Sequence, residues 1–184
     1  MNDFSFSNRV KGLVALGATA FLFSTSAIQA DGLNIAYNLQ EQISPCVVGE
    51  YSVPRVLVDV SGIDSSEGTL RVQIYNDNPD DFLVSGKKVL RVEVPTQEDF
   101  QQVCVTFPAA GTYSMAVMHD KNSNGRADIF TEGFGFSNNP SLTFGPPEHE
   151  ETLFEVANGV KKMDVALTYY FQLEKKDSKR RRRR

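Results

Sequence analysis

Nine residues from Asp120 to Asp128, reading D-K-N-S-N-G-R-A-D, place oxygen-bearing side chains at loop positions one, three, five and nine and a glycine at position six. That is the ligand spacing of a calcium loop. Calcium (Ca2+) is a hard cation that takes about six to eight oxygen ligands. A short chain surrounds it by folding back with alternate residues turned inward, and a glycine permits the sharp turn. On this pattern Asp120, Asn122 and Asn124 offer side-chain oxygens, Arg126 its backbone carbonyl, and Asp128 a carboxylate, directly or through water. Position twelve, where an EF-hand carries a bidentate Glu, is Thr131, and Glu132 follows it. Either Glu132 reaches in with altered geometry or the loop lacks its strongest ligand. With so few carboxylates the expected dissociation constant is on the order of 0.1 to 1 mM. The competing reading is an Asn/Asp/Gly-rich hairpin turn whose side chains bond their own backbone.

Two other groups of residues bear on chemistry. The chain has two histidines, His119 beside Asp120 and His149 among Glu148, Glu150 and Glu151. If folding joined both imidazoles to a carboxylate they would hold zinc or do acid–base work, which defines a hydrolase alternative. Neither belongs to an HExxH spacing, no GxSxG elbow is present, and no catalytic residue is assigned. His119 shares strand parity with Tyr113, Met115 and Val117, which predicts a hydrogen-bonded histidine near the core. Phe134, Phe136 and Phe144 lie in the long stretch from Asp120 to Pro147. They either pack that excursion onto the domain or form a ligand platform, as in a carbohydrate-binding module, although the chain has no Trp to stack on sugar.

The elements that must position these residues are strands. Alternation puts every second side chain on one face. It recurs in Val56-Val58-Val60, Leu70-Val72-Ile74, Leu90-Val92-Val94, Val103-Val105-Phe107 and Tyr113-Met115-Val117, then in Leu153 to Val156 and Met163 to Phe171. Turn residues separate them at Ser61-Gly62, Glu67-Gly68, Ala110-Gly111 and Asn158-Gly159. No long helical period follows residue 50, so the pattern predicts an all-β chain folded as a single antiparallel β-sandwich of about seven strands. Phe82, in the acidic Asn76–Gly86 segment, is expected to plug one end of the sandwich. Leu33 to Tyr37 reads as an edge strand and Asn38 to Ile43 as a helical turn.

The two ends differ from this body. Arg9 and Lys11 precede an uncharged apolar run, Gly12 to Phe23, and then Ala27-Ile28-Gln29-Ala30 with small residues for cleavage, so residues 1–30 read as a signal peptide. The run is too short for a bilayer core of about 30 Å, and no later segment reads as a transmembrane span. The expectation is an exported, periplasmic or secreted protein. Export makes Cys46 and Cys104 a natural disulfide, and with no CxxC and no third thiol, thiol redox catalysis and thiolate zinc are poorly supported. At the other end, residues 174–184 carry Lys175, Lys176, Lys179 and Arg180 to Arg184. That tail is +6, whereas the body between leader and tail has 9 basic and 20 acidic residues and is −11. Like charges so dense predict a disordered tail suited to an anionic surface, through Lys175–Arg184. No interleaved aromatics or binding motif points to nucleic acid. The resulting organisation is leader 1–30, extension 31–54, sandwich 55–173 and tail 174–184.

The serial order G-T-Y at Gly111–Tyr113, H-D-x-N-x-N-G-x-x-D from His119, G-F-S-N-N at Gly135–Asn139 and F-G-P-P at Phe144–Pro147 resembles the bacterial domain of unknown function 2141. The resemblance extends upstream through Gly68 to Asn76 and the Pro79–Phe82 turn, covering roughly residues 55 to 170. It implies a small exported protein with a transthyretin-like or Ig-like sandwich, and no established activity. The Cys46 extension and polyarginine tail depart from the family pattern. The functional expectation is a non-catalytic binding or structural module of the cell envelope with a calcium loop, its partner an envelope component or glycan.

Overall fold

In the computed structural model, residues 43–47, 52–143 and 145–171 are described. The leader, the Leu33–Tyr37 strand, most of the Asn38–Ile43 turn, Phe144 and the polybasic tail lie outside them. Eight strands form: β1 Pro54–Ile63, β2 Thr69–Tyr75, β3 Leu90–Pro95, β4 Asp99–Thr106, β5 Gly111–Asp120, β6 Gly133–Phe136, β7 Leu153–Val156 and β8 Gly159–Ala166. They build a three-stranded sheet, β4-β1-β8, and a five-stranded sheet, β3-β2-β5-β6, with β7 pairing the first half of β5. The sandwich is as the alternation predicts. Its core joins Val56, Val58, Val60, Val103 and Val105 of the smaller sheet to Leu70, Val72, Ile74, Met115 and Val117 of the larger. Burial of so many branched side chains is the main favourable term in folding.

The structure corrects the reading of the strands in three places. β1 and β8 run parallel, with Val58 opposite Met163 and Val60 opposite Val165, so the smaller sheet is mixed rather than antiparallel. β8 ends at Ala166 instead of running to Phe171; beyond it, Leu167 N–H still bonds Ser61 and Thr168 exchanges hydrogen bonds with Phe134. The third is the added strand β6, within what reads as an irregular excursion. It pairs with β5 from Ala116–Phe136 to His119–Gly133.

The run Gly133-Phe134-Gly135-Phe136 fits this place because its two faces meet different neighbours. A Cβ on Gly133 would strike the Tyr169 ring, and one on Gly135 would lie 2.7 Å from the Ala166 carbonyl oxygen, so the inward face admits only glycine. The phenylalanines point outward. Phe136 buries with Tyr75 and Ala116 in a second apolar cluster, which Phe134, Phe82 and Leu142 extend. Phe82 therefore packs on the outer face of the larger sheet, at 5.7 Å from Tyr75 and 6.2 Å from Phe136, and does not plug the sandwich end.

The G-F-S-N-N segment ties edges together. Ser137 Oγ accepts the Met115 N–H at 3.1 Å and donates to the Thr152 carbonyl. Asn138 Nδ2 donates to the carbonyls of Glu151 and Leu153, and Asn139 bridges Asp164 and Ala166 of β8 through its amide. Both asparagines are left-handed, with φ of 65° and 49°, a conformation that Asn tolerates better than most residues. At Gly111-Thr112-Tyr113, the Tyr113 hydroxyl donates to the Ala109 carbonyl at 2.9 Å, fixing the approach to β5. These motif residues serve the scaffold.

Candidate functional site

β5 delivers Asp120 to the loop from its last position, fully buried on the outer face of the larger sheet. Asp120 Oδ1 accepts the Asn124 N–H at 3.1 Å and Oδ2 the Gly125 N–H at 2.9 Å. Arg71, reaching over from β2, lies 3.3 Å from the same Oδ2 and 2.6 Å from Glu93. Gly125 answers two demands: its φ is +80°, and a Cβ there would sit 3.2 Å from the Arg71 guanidinium. Asn122 Oδ1 accepts the Asn124 N–H, Asn124 Oδ1 the Arg126 N–H, and Asp128 Oδ1 the Phe130 N–H. These oxygens therefore organise the loop's own backbone, as in the turn reading, and each keeps a second lone pair.

Glu132 is the residue that turn chemistry leaves unexplained. Thr131 faces solvent while Glu132 turns inward and is 1% exposed. Its Oε2 accepts the Asp128 N–H at 2.8 Å, but its Oε1 is buried with no hydrogen-bond partner. Burial pushes the Glu132 carboxyl above its usual range; the Asp128 N–H opposes this, and the charges of Asp120 and Asp128 reinforce it. An unpaired buried acceptor costs about 1–3 kcal/mol, so this oxygen is a place where a proton or a cation is wanted. Among the described residues, no group of three or more His, Cys, Asp or Glu side chains is arranged to hold a metal ion. Any cation here would draw its carboxylates from Asp120, Asp128 and Glu132 and complete its shell from amide and backbone oxygens.

The histidines do not meet. His119 pairs with Leu70 at one end of β2, whereas His149 approaches the carbonyl of Asn76, just past the other end, at 3.3 Å. Six residues of extended chain put these points about 20 Å apart. His119 is fully buried; its Nε2 donates to the Glu67 carbonyl at 2.7 Å, and its Nδ1 lies 2.6 Å from the Tyr169 hydroxyl and 3.4 Å from Asp64 Oδ1. Tyr169 is itself held by the Asp64 N–H, and burial raises its hydroxyl well above the usual phenol range. His149 packs 5.2 Å from Phe82. A zinc or acid–base site that uses both imidazoles is not assembled, because each ring fills a separate position in the scaffold.

The aromatic platform also takes a different form. Phe136 is buried and Phe134 half-buried, so neither presents an open ring face. They wall a cavity of about 690 Å³ on the outer face of the larger sheet, which Ile129 and Phe130 of the Asp120–Glu132 loop also line. Sequence reasoning did not find this cavity. Its cationic members, Arg71 of β2, Lys88 just before β3 and Arg91 of β3, come together through the pairing of those two strands. Cys46 and Cys104 are bonded to each other, with Cα atoms 5.7 Å apart, which joins the 43–47 helical turn to β4. No helix among the described residues is long and apolar enough to cross a membrane.

Comparison with known proteins agrees with the motif order. Residues 58–164, from β1 into β8, match the family described as an uncharacterized protein conserved in bacteria, DUF2141. No curated protein and no solved structure matches. With the match spanning more than half of the sequence and the sandwich it covers, the chain belongs to the DUF2141 family.

Proposed function

We propose that this protein is an exported, non-catalytic module of the cell envelope whose Asp120–Glu132 loop binds calcium, which stiffens the excursion over the larger sheet. The observation that carries this reading is the buried Glu132 Oε1, which has no hydrogen-bond partner and is crowded by the carboxylate of Asp120. Asp120, Asp128 and Glu132 supply the charge, and Asn122, Asn124 and the Arg126 carbonyl are the remaining candidate ligands. A hard cation prefers this all-oxygen set. Export is supported by the leader pattern of residues 1–30 and by the Cys46–Cys104 disulfide, since such bonds persist in oxidising compartments.

The test is thermal unfolding with calcium or chelator. For a site of about 0.5 mM, roughly 10 mM free calcium adds about 1.8 kcal/mol to native stability and raises the midpoint by several degrees. A midpoint that stays put at that concentration defeats the reading.

A pH series separates cation from proton at the same atom. The Glu132 pKa is raised in the folded state, mainly by burial, so the native form holds this proton more tightly than the unfolded chain does. Its contribution favours folding below the ordinary Glu range and is lost as pH rises through the folded value. In chelator, Glu132→Gln is therefore expected to match the parent near pH 4 and to exceed it by about 1 kcal/mol near pH 8. The amide keeps an acceptor for the Asp128 N–H and gains a donor toward Asp120. With calcium the order reverses, because the variant has lost the carboxylate. Superimposable midpoint profiles for the two proteins, in chelator and in calcium, would remove Glu132 from the site.

A further inference from the structure

We propose that the cavity on the outer face of the larger sheet is a binding site for a free single-chain anionic amphiphile, of the class of an alkyl carboxylate. Its volume of about 690 Å³ falls in the range of small-molecule sites, roughly 300–1,000 Å³. Ala116 and Met118 of β5 form the floor, and Phe134 and Phe136 form a wall. At the mouth, Phe130 and Phe171 stack with ring centroids 4.7 Å apart while remaining 65% and 39% exposed. Large aromatic side chains left in water beside an apolar hollow mark a surface that gains by being covered.

The charge around this hollow selects the occupant. The body of the chain is strongly acidic, with 20 acidic residues against 9 basic. The cavity reverses that balance: Arg71, Lys88 and Arg91 line it, and no Asp or Glu does. Arg71 is committed to Asp120 and Glu93, and Arg91 shares Glu93 at 3.3 Å. The Lys88 ammonium lies 5.8 Å from the Tyr75 ring centre, and no ion pair with a carboxylate is found for it among the described residues. An anionic head therefore seats against Lys88 and Arg91, and its chain runs toward Phe134 and Phe130. A sugar fits less well. Its hydroxyls need paired donors and acceptors, whereas these walls are mostly carbon and the charged groups only donate.

Calorimetric titration of the full mature chain with dodecanoate, dodecanol and dodecyltrimethylammonium, all below micelle formation, tests the assignment. Dodecanoate is expected to bind one per chain, about tenfold tighter than dodecanol, with the cationic amphiphile weakest. Replacing Lys88→Gln and Arg91→Gln together should lower dodecanoate affinity about tenfold and leave dodecanol unchanged. The polybasic tail is common to both proteins, so the difference between them reads the cavity. Equal binding of all three amphiphiles overturns the proposal, as does unchanged dodecanoate binding in the double variant. So does sedimentation with phosphatidylglycerol vesicles, or capture of a glycan, without dodecanoate binding. The outcome is independent of the calcium reading: dodecanoate binding in chelator stands even if calcium leaves the unfolding midpoint unmoved.

Discussion

Replacing Cys46→Ser and Cys104→Ser together is expected to lower unfolding stability by about 4 kcal/mol and the midpoint by on the order of 10 °C. The bond closes a loop across 58 positions of sequence, and the constraint it places on the unfolded chain grows with the logarithm of that length. Cys104 sits mid-strand in β4, opposite Leu57 of β1, between the core residues Val103 and Val105. Its side chain thus points away from the core, and the bond anchors residues 43–47 on the outside of the smaller sheet. The sandwich core does not depend on it, so the variant should remain folded at room temperature. Denaturant unfolding of the variant, and of the parent with and without reductant, checks this. The reduced parent should fall on the variant's curve, and a loss below about 1 kcal/mol would show that the cross-link adds little to the chain's own contacts.

Much of the scaffold was legible because strands with one buried face write their period into the sequence. β1 to β5 and β7 each carry alternating apolar residues, and each forms where that alternation lies. β6 was illegible for a physical reason. Its inward positions are Gly133 and Gly135, demanded by Tyr169 and Ala166, which come some thirty residues later in the chain. A strand with glycine on its buried face shows no apolar period. The parallel pairing of β1 with β8 was hidden as well, since an alternating strand buries the same face whichever way its neighbour runs.

The candidate site was legible in its ligand spacing and illegible in its depth. Asp120, Asn122, Asn124 and Gly125 could be named from spacing alone, but the same spacing serves a self-bonded turn, and the structure shows those bonds in full. What a plain turn leaves unexplained is Glu132, off the EF-hand register by one residue and buried directly before β6. Glu132 is buried against the loop it closes, with Oε2 on the Asp128 N–H, while Thr131 faces solvent, a distinction no loop pattern contains. Arg71 was missed because its role depends on the β2–β5 register, which brings a guanidinium from one strand to a carboxylate on the next. The cavity follows the same logic, with the floor predictable as a strand face and the cations supplied by neighbouring strands and loops.

Gly68 shows how tightly the site is held to the scaffold, and Gly68→Ala is expected to cost about 3 kcal/mol or more. Two effects add. The residue sits at φ +69°, where an L side chain costs about 1–2 kcal/mol. A Cβ there would also run into the Asp120 carbonyl oxygen and come within 2.6 Å of the Lys121 carbonyl, both backbone atoms that cannot turn aside. Overpacking of this kind adds about 1–3 kcal/mol, and relief comes only by pushing Asp120 and Lys121 away from β2. That shift loosens Asp120 from Arg71, so the midpoint rise with calcium should shrink together with stability. Gly86→Ala is the matched control, because Gly86 has a similar φ of +81° with nothing within 4 Å of the added carbon. It should show the backbone cost alone, about 1 kcal/mol, with the calcium response intact. Denaturant unfolding of both variants, with and without calcium, isolates the contact from the strain. Equal losses in the two would mean that the approach of Gly68 to the Asp120 carbonyl contributes nothing, and that the loop is not seated on β2 in the way the Arg71–Asp120 pair requires.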